Sequence, residues 1–157
     1  MEPLYRESRP IMPRNLTYLV AAVLLATLAF MALSESLTGA GMPVWMIAAS
    51  AVVFTIIIVA LLVLRLDLVI YGDRVEITYA FRRITVRSEE IIDVRLGDLS
   101  DIRNYANWNL KGVKHRSYTR IGDECGIAMK VTGKRVVVVS TQDPEAAAGA
   151  VPGGREE

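Results

Sequence analysis

Two long uncharged stretches occupy most of the first 64 residues. Residues 15–34 and 36–64 contain no Asp, Glu, Lys or Arg, and only Glu35 separates them. A helix needs about 20 apolar residues to cross the hydrocarbon core of a bilayer. The pattern therefore predicts two transmembrane helices, over about 16–33 and 44–64, which a short connector joins into a hairpin.

The first stretch has one alternative interpretation. A secretory signal peptide has an apolar core of about 7–15 residues followed by a small-residue cleavage site. The apolar run over 16–33 is longer than that, and a second apolar stretch follows it directly. The pattern favours a membrane hairpin over a cleaved leader.

Basic residues lie on the outer flanks of the hairpin. Arg6, Arg9 and Arg14 precede the first span, Arg65 and Arg74 follow the second, and the connector has no basic residue. Because loops rich in Lys and Arg stay in the cytoplasm, we predict a multi-pass protein of the cell (inner) membrane with both termini cytoplasmic.

The interior of the two spans contains no ionisable residue. Charged side chains within spans mark ion and proton pathways, so the pattern does not favour a pump formed by the hairpin alone. Small residues recur along each span, which either permits close helix contact in lipid or reflects how common alanine is in spans. These positions are Ala22, Ala26 and Ala29 in the first span and Ala48, Ala51 and Thr55 in the second.

From residue 65 onward the apolar residues alternate with polar ones, as in strands that have one buried face. Strands are predicted over about 66–70, 75–81, 84–86, 91–96, 126–131 and 134–141, with turns at Gly72-Asp73 and Thr132-Gly133. Asp143 followed by Pro144 is a helix start. The predicted organisation is a cytoplasmic segment 1–15, the hairpin 16–64, a cytoplasmic β-domain 65–151 and a flexible tail 152–157.

The amino-acid composition limits which binding and catalytic sites the chain can form. The chain has 18 Lys and Arg against 17 Asp and Glu, one His and one Cys. A net charge of +1 gives no overall basic field for nucleic acid. Cys125 has no partner for an intramolecular disulfide or a thiolate zinc cluster, and His115 is the sole histidine for a triad. We therefore expect no enzyme, no cofactor and no metal.

The order of elements resembles that of bacterial and archaeal PH-like (pleckstrin-homology-type) membrane proteins, in which a two-helix membrane hairpin precedes a small barrel. The segments that carry the resemblance are LYRESRP, RLDLVIYGDRVEITYAF, ITVRSEEIIDV, NWNLKG and VVVVSTQDPEAA. The resemblance implies an α+β fold in which the hairpin is followed by a small antiparallel PH-like β-barrel or sandwich, capped by a short C-terminal helix. This terminal helix is shorter and richer in Ala than is usual in the family.

One basic stretch is the best candidate for a binding surface. Residues 102–122 carry five basic side chains and no acidic one. Each such charge near an anionic leaflet contributes on the order of 1 kcal/mol. The stretch is either a contact for lipid headgroups or an anionic partner, or a solvated face, and Trp108 either anchors it or contacts the partner. The candidate residues are Arg103, Trp108, Lys111, Lys114, Arg116 and Arg120.

Asp98 and Asp101 form the other noticeable pair of side chains. Two carboxylates without further ligands are a weak cation site, and a role in turns or caps is the simpler interpretation.

The sequence thus predicts a non-enzymatic integral membrane protein that presents a PH-like domain at the cytoplasmic face as a membrane-tethered binding or scaffold module. Its expected partners are the lipid bilayer, with anionic headgroups or another membrane protein as ligands, and no nucleic acid. The alternative is a small accessory subunit of a membrane transporter or enzyme complex, which docks through the hairpin.

Overall fold

The computed structural model describes residues 2–39, 41–102 and 112–152. The chain divides into two compact units. The β unit comprises Met1–Ile11 and Arg65–Glu157, and the helical unit comprises Met12–Leu64. Most of the NWNLKG segment, and the tail beyond Pro152, lie outside the described residues.

The helical unit contains two long apolar helices, α1 (Arg14–Thr38) and α2 (Val44–Val63). Their most apolar windows have mean hydropathies of 2.3 and 2.9, and almost none of these side chains is buried in the protein. Both helices are long and apolar enough to cross a bilayer. α1 continues past the predicted end at Leu33 to Thr38, and the hydroxyls of Ser34 and Thr38 donate to carbonyls of the preceding turn.

Four strands form the first sheet, which we call sheet A: β1 (Tyr5–Pro10), β2 (Arg65–Ile70), β3 (Arg74–Tyr79) and β4 (Arg82–Arg87). They lie in the order β1-β2-β3-β4, and every neighbouring pair is antiparallel. The predicted alternation of β2 to β4 is confirmed. A single 3₁₀ turn at Ser88–Glu90 leads from β4 into the second sheet.

The second sheet, sheet B, has the order β5-β7-β8-β6. Its strands are β5 (Ile91–Asp98), β6 (Lys114–Tyr118), β7 (Cys125–Val131) and β8 (Arg135–Ser140). β6 runs parallel to β8, so the prediction of a purely antiparallel fold is wrong for this pair. Alternation identifies a strand but carries no information on the direction of its neighbour. The described strands form two separate sheets and no closed barrel.

Along the chain, the helical unit lies between two paired strands of sheet A. β1 precedes α1 in the chain, yet it pairs with β2, which follows α2, from Pro10↔Arg65 to Tyr5↔Ile70. No local pattern predicts this strand, since RESR has no apolar alternation. The N-terminal segment is part of the β unit.

Apolar side chains from both sheets form one buried cluster. Leu68 and Ile77 of sheet A, with Ile127 and Met129 of sheet B, are at most 1% exposed. The short helix α3 (Leu99–Ile102) packs with Val136 and Val138 on the opposite face of sheet B.

The C-terminal helix α4 (Pro144–Ala150) caps the shared cluster with Ala147 and Ala148. It contacts β1, β5 and β7. Asp143 accepts a hydrogen bond from the backbone N–H of Ala146 at 2.9 Å, so the predicted N-cap is confirmed.

Candidate functional site

A small cleft of about 60 Å³ opens between β4, the edge strand of sheet A, and the β6–β8 side of sheet B. Its floor is apolar and its rim is charged. The residues that define it are Ile84, Val86 and Val137 on the floor and Lys114, Arg116 and Arg135 on the rim. Among the described residues β4 and β6 each pair with a single strand, so both present an unpaired backbone edge.

The alternation of β6 brings two cations to this cleft. Lys114, Arg116 and the buried Tyr118 share one face of the strand. Arg116 is paired in register with Val137, whose side chain belongs to the shared core. The two basic side chains therefore lie on the core-facing side of an edge strand, where the apolar interior ends.

The charge balance of the cleft is positive. Glu90 accepts a hydrogen bond from Arg135 at 3.2 Å and is the one carboxylate among the lining residues that the structure describes. Among the residues that the structure describes, no carboxylate oxygen lies within 4 Å of the side-chain nitrogens of Lys114 or Arg116. An apolar floor with two unpaired cations suits a ligand that is both apolar and anionic.

Arg120 lies elsewhere in the β unit. Its Nε donates to the carbonyl of Pro10 at 2.8 Å, and its Nη1 pairs with Asp123 at 3.2 Å. Its backbone N–H donates to Ser140, at the far end of β8 from the cleft. The structure thus brings Lys114 and Arg116 together but not Arg120. The other predicted site residues, Arg103, Trp108 and Lys111, lie outside the described residues.

A buried ionic cluster, which we call the β1 clamp, holds the N-terminal strand to the loop between β6 and β7 and to the residue that follows β8. Arg9 pairs with Glu7 at 2.5 Å and with Asp123 at 2.8 Å, and Arg120 contacts the same Asp123. Glu7 also accepts hydrogen bonds from Tyr5 and Thr141. Desolvation raises the pKa of the Tyr5 hydroxyl. Arg9 was predicted only as a topological signal and Glu7 had no predicted role, because Asp123 and Thr141, which they contact, lie more than a hundred residues away.

The predicted turn role of Asp98 is confirmed. Its Oδ1 accepts hydrogen bonds at 2.9 Å from both the backbone N–H and the hydroxyl of Ser100, which lower the pKa of Asp98. Cys125 is exposed at the start of β7.

The chain was also compared with known proteins. No protein family, curated protein or solved structure matches it.

Proposed function

We propose that the protein is a two-pass membrane protein that presents its β unit, a PH-like domain, at the cytoplasmic face as a non-enzymatic binding module. The observation that carries this proposal is the pairing of β1 with β2 across the apolar hairpin.

Strand pairing restricts how the hairpin can be placed in a bilayer. If one helix alone crossed, Pro10 and Arg65 would be separated by about 30 Å of hydrocarbon, whereas they are neighbours in sheet A. Two crossings keep the pairing intact and bury both apolar helices in lipid. The basic residues on both flanks, and their absence from the connector, support the cytoplasmic side for the β unit.

For the cleft, we propose an acidic and apolar segment of a neighbouring membrane protein as the ligand. An extended segment pairs with an exposed strand edge and places alternate side chains in a pocket. Both β4 and β6 present an unpaired backbone edge beside the apolar floor, which favours an extended peptide over a lipid headgroup.

The test uses the full chain in nanodiscs of neutral lipid and a fluorescent peptide of alternating Glu and Val. We expect the peptide to bind, and its Lys–Val counterpart not to bind. Reversing the charge in Lys114→Glu or Arg116→Glu should weaken binding at least about tenfold, which corresponds to 1.4 kcal/mol. Lys130→Glu, on β7, is the matched control, because Lys130 does not line the cleft.

Two results would contradict the proposal. Equal binding of the acidic and basic peptides would show that the cleft does not discriminate between ligands by their charge. Loss of peptide binding in nanodiscs that contain anionic lipid, with the same sensitivity to Lys114→Glu, would identify lipid headgroups as the ligand instead.

The accessory-subunit alternative stays a prediction with its own test. Ala26 is exposed on α1 in this chain, whereas Ala51 is half-buried. If a partner docks on the alanine face of α1, then Ala26→Leu should release that partner while leaving the cleft's peptide affinity unchanged.

A further inference from the structure

The turn between β3 and β4 carries a solvent-exposed aromatic side chain. Phe81 is 86% exposed, more than any other large apolar residue that the structure describes in the β unit. Ala80 beside it has a φ of 57°, a left-handed conformation that makes the turn tight and projects the next residue outward. Single exposed apolar residues are common, so the meaning of Phe81 depends on where the turn lies.

The turn lies beside the start of β2, where the chain leaves α2 and enters the β unit. The backbone N–H of Ala80 donates to the carbonyl of Arg65 at 2.9 Å. Arg65 comes two residues after Val63, the last residue of α2, and each step along the chain spans about 3.8 Å. Covalent connectivity alone keeps the Phe81 turn close to the end of this apolar helix.

A second exposed apolar residue belongs to the same end of sheet A. The N–H of Ile121 donates to the carbonyl of Ile11 at 3.0 Å, and Ile11 directly follows β1. Ile121 is 50% exposed. Two separate turns therefore present apolar side chains beside the points where β1 ends and β2 begins.

Arginines flank the aromatic residue. Arg65 and Arg82 are both exposed, and within the described residues neither has a carboxylate partner. The carboxylate of the nearby Glu76 already forms ion pairs with Arg74 and Arg83. Exposed arginines beside an aromatic ring are the kind of residues found at the membrane–water interface. There, aromatic rings lie at the level of the headgroups and basic side chains bind lipid phosphates.

We propose that the Phe81 turn inserts into the interfacial layer of the bilayer that holds the hairpin, with Arg65 and Arg82 on lipid phosphates. This contact fixes the orientation of the β unit on the membrane surface. The inference rests on the proposed function, because it requires that α1 and α2 cross that bilayer.

The test places an environment-sensitive fluorophore on single cysteines of the full chain in liposomes, in a Cys125→Ser background. A fluorophore on Phe81→Cys reports whether the turn lies in the interfacial layer. Leu4→Cys is the matched control, because Leu4 is 64% exposed and bonds Ile70 at the opposite end of sheet A. Val53→Cys, in the middle of α2, reports whether the hairpin is in the bilayer.

The expected result is that shallow nitroxide lipids quench most of the fluorescence at position 81 and little of it at position 4. Deep nitroxide lipids should quench position 53. If positions 81 and 4 are quenched equally while position 53 is quenched, the inference is overturned and the membrane hairpin stands. If position 53 is not quenched by deep nitroxides, the membrane crossing itself fails, and the inference fails with it.

Discussion

Breaking the β1 clamp should strongly destabilise the β unit, and Arg9→Met tests this. The Arg9 side chain is 11% exposed, and the carboxylates it pairs with, Glu7 and Asp123, are 14% and 11% exposed. Methionine keeps the apolar stem but leaves two buried carboxylates with one cation, Arg120, instead of two. Removing one partner of a buried ion pair costs about 3–5 kcal/mol.

We expect the lower limit, about 3 kcal/mol, because hydrogen bonds remain at both carboxylates. Glu7 keeps the hydroxyl of Tyr5, and Asp123 keeps Arg120. Arg6→Met is the matched control, since Arg6 is exposed on the same strand. An exposed substitution of this kind should change stability by no more than about 0.5 kcal/mol.

Native-state hydrogen exchange of the full chain in detergent measures the difference, through the slowest amides of β2 and β7. A loss of about 3 kcal/mol corresponds to exchange that is roughly a hundredfold faster. In an Asp123→Asn background the effect of Arg9→Met should shrink, because one of the two buried charges is already absent. Equal exchange rates in Arg9→Met and Arg6→Met would refute the clamp.

Three further substitutions test the β unit. Gly126→Ala should destabilise it by several kcal/mol in thermal unfolding, because a Cβ would lie 2.3 Å from the carbonyl oxygen of Val139; an unchanged melting temperature would contradict this packing. Hydrogen bonding from Arg74 lowers the pKa of Glu76. The stability that Glu76→Gln removes should therefore be present above pH 4.5 and vanish as the pH falls through the lowered pKa, and a pH-independent difference would contradict the ion pair. Ala80→Gly should raise the free energy of unfolding by about 0.5–1 kcal/mol, since glycine adopts the left-handed conformation without a Cβ clash, and a decrease would contradict that backbone.

The local elements of the fold follow from local patterns. Two uncharged stretches predicted α1 and α2, and alternation predicted β2, β3 and β4 together with the hairpins around Gly72 and Gly133. Asp143 and Pro144 marked the start of α4. In each case the signal lies within a few neighbouring residues, which is the range over which periodicity and capping act.

The features that sequence reasoning missed depend on long-range pairing. β1 shows no apolar alternation: it lies at the edge of sheet A, and its Arg9 pairs with Glu7 and Asp123. The direction of β6 depends on its place beside β8. Phe81 continued the alternation of β3, and only the tight turn at Ala80 exposes it.

The candidate site was predicted in part. The basic stretch identified Lys114 and Arg116, but composition did not separate them from Arg120, which the fold places with Pro10 and Asp123 instead. The apolar floor of the cleft comes from β4 and β8, which no local pattern connects to β6.

The central claim is that a two-pass hairpin keeps β1 and the rest of the β unit on the cytoplasmic side of one membrane. The most direct measurement is labelling of single cysteines in intact cells with a membrane-impermeant maleimide. The positions are the native Cys125, and Leu4→Cys or Leu37→Cys in a Cys125→Ser background. The account predicts labelling of position 37 alone, with positions 4 and 125 labelled only after permeabilisation. Labelling of position 4 or 125 in intact cells would contradict it.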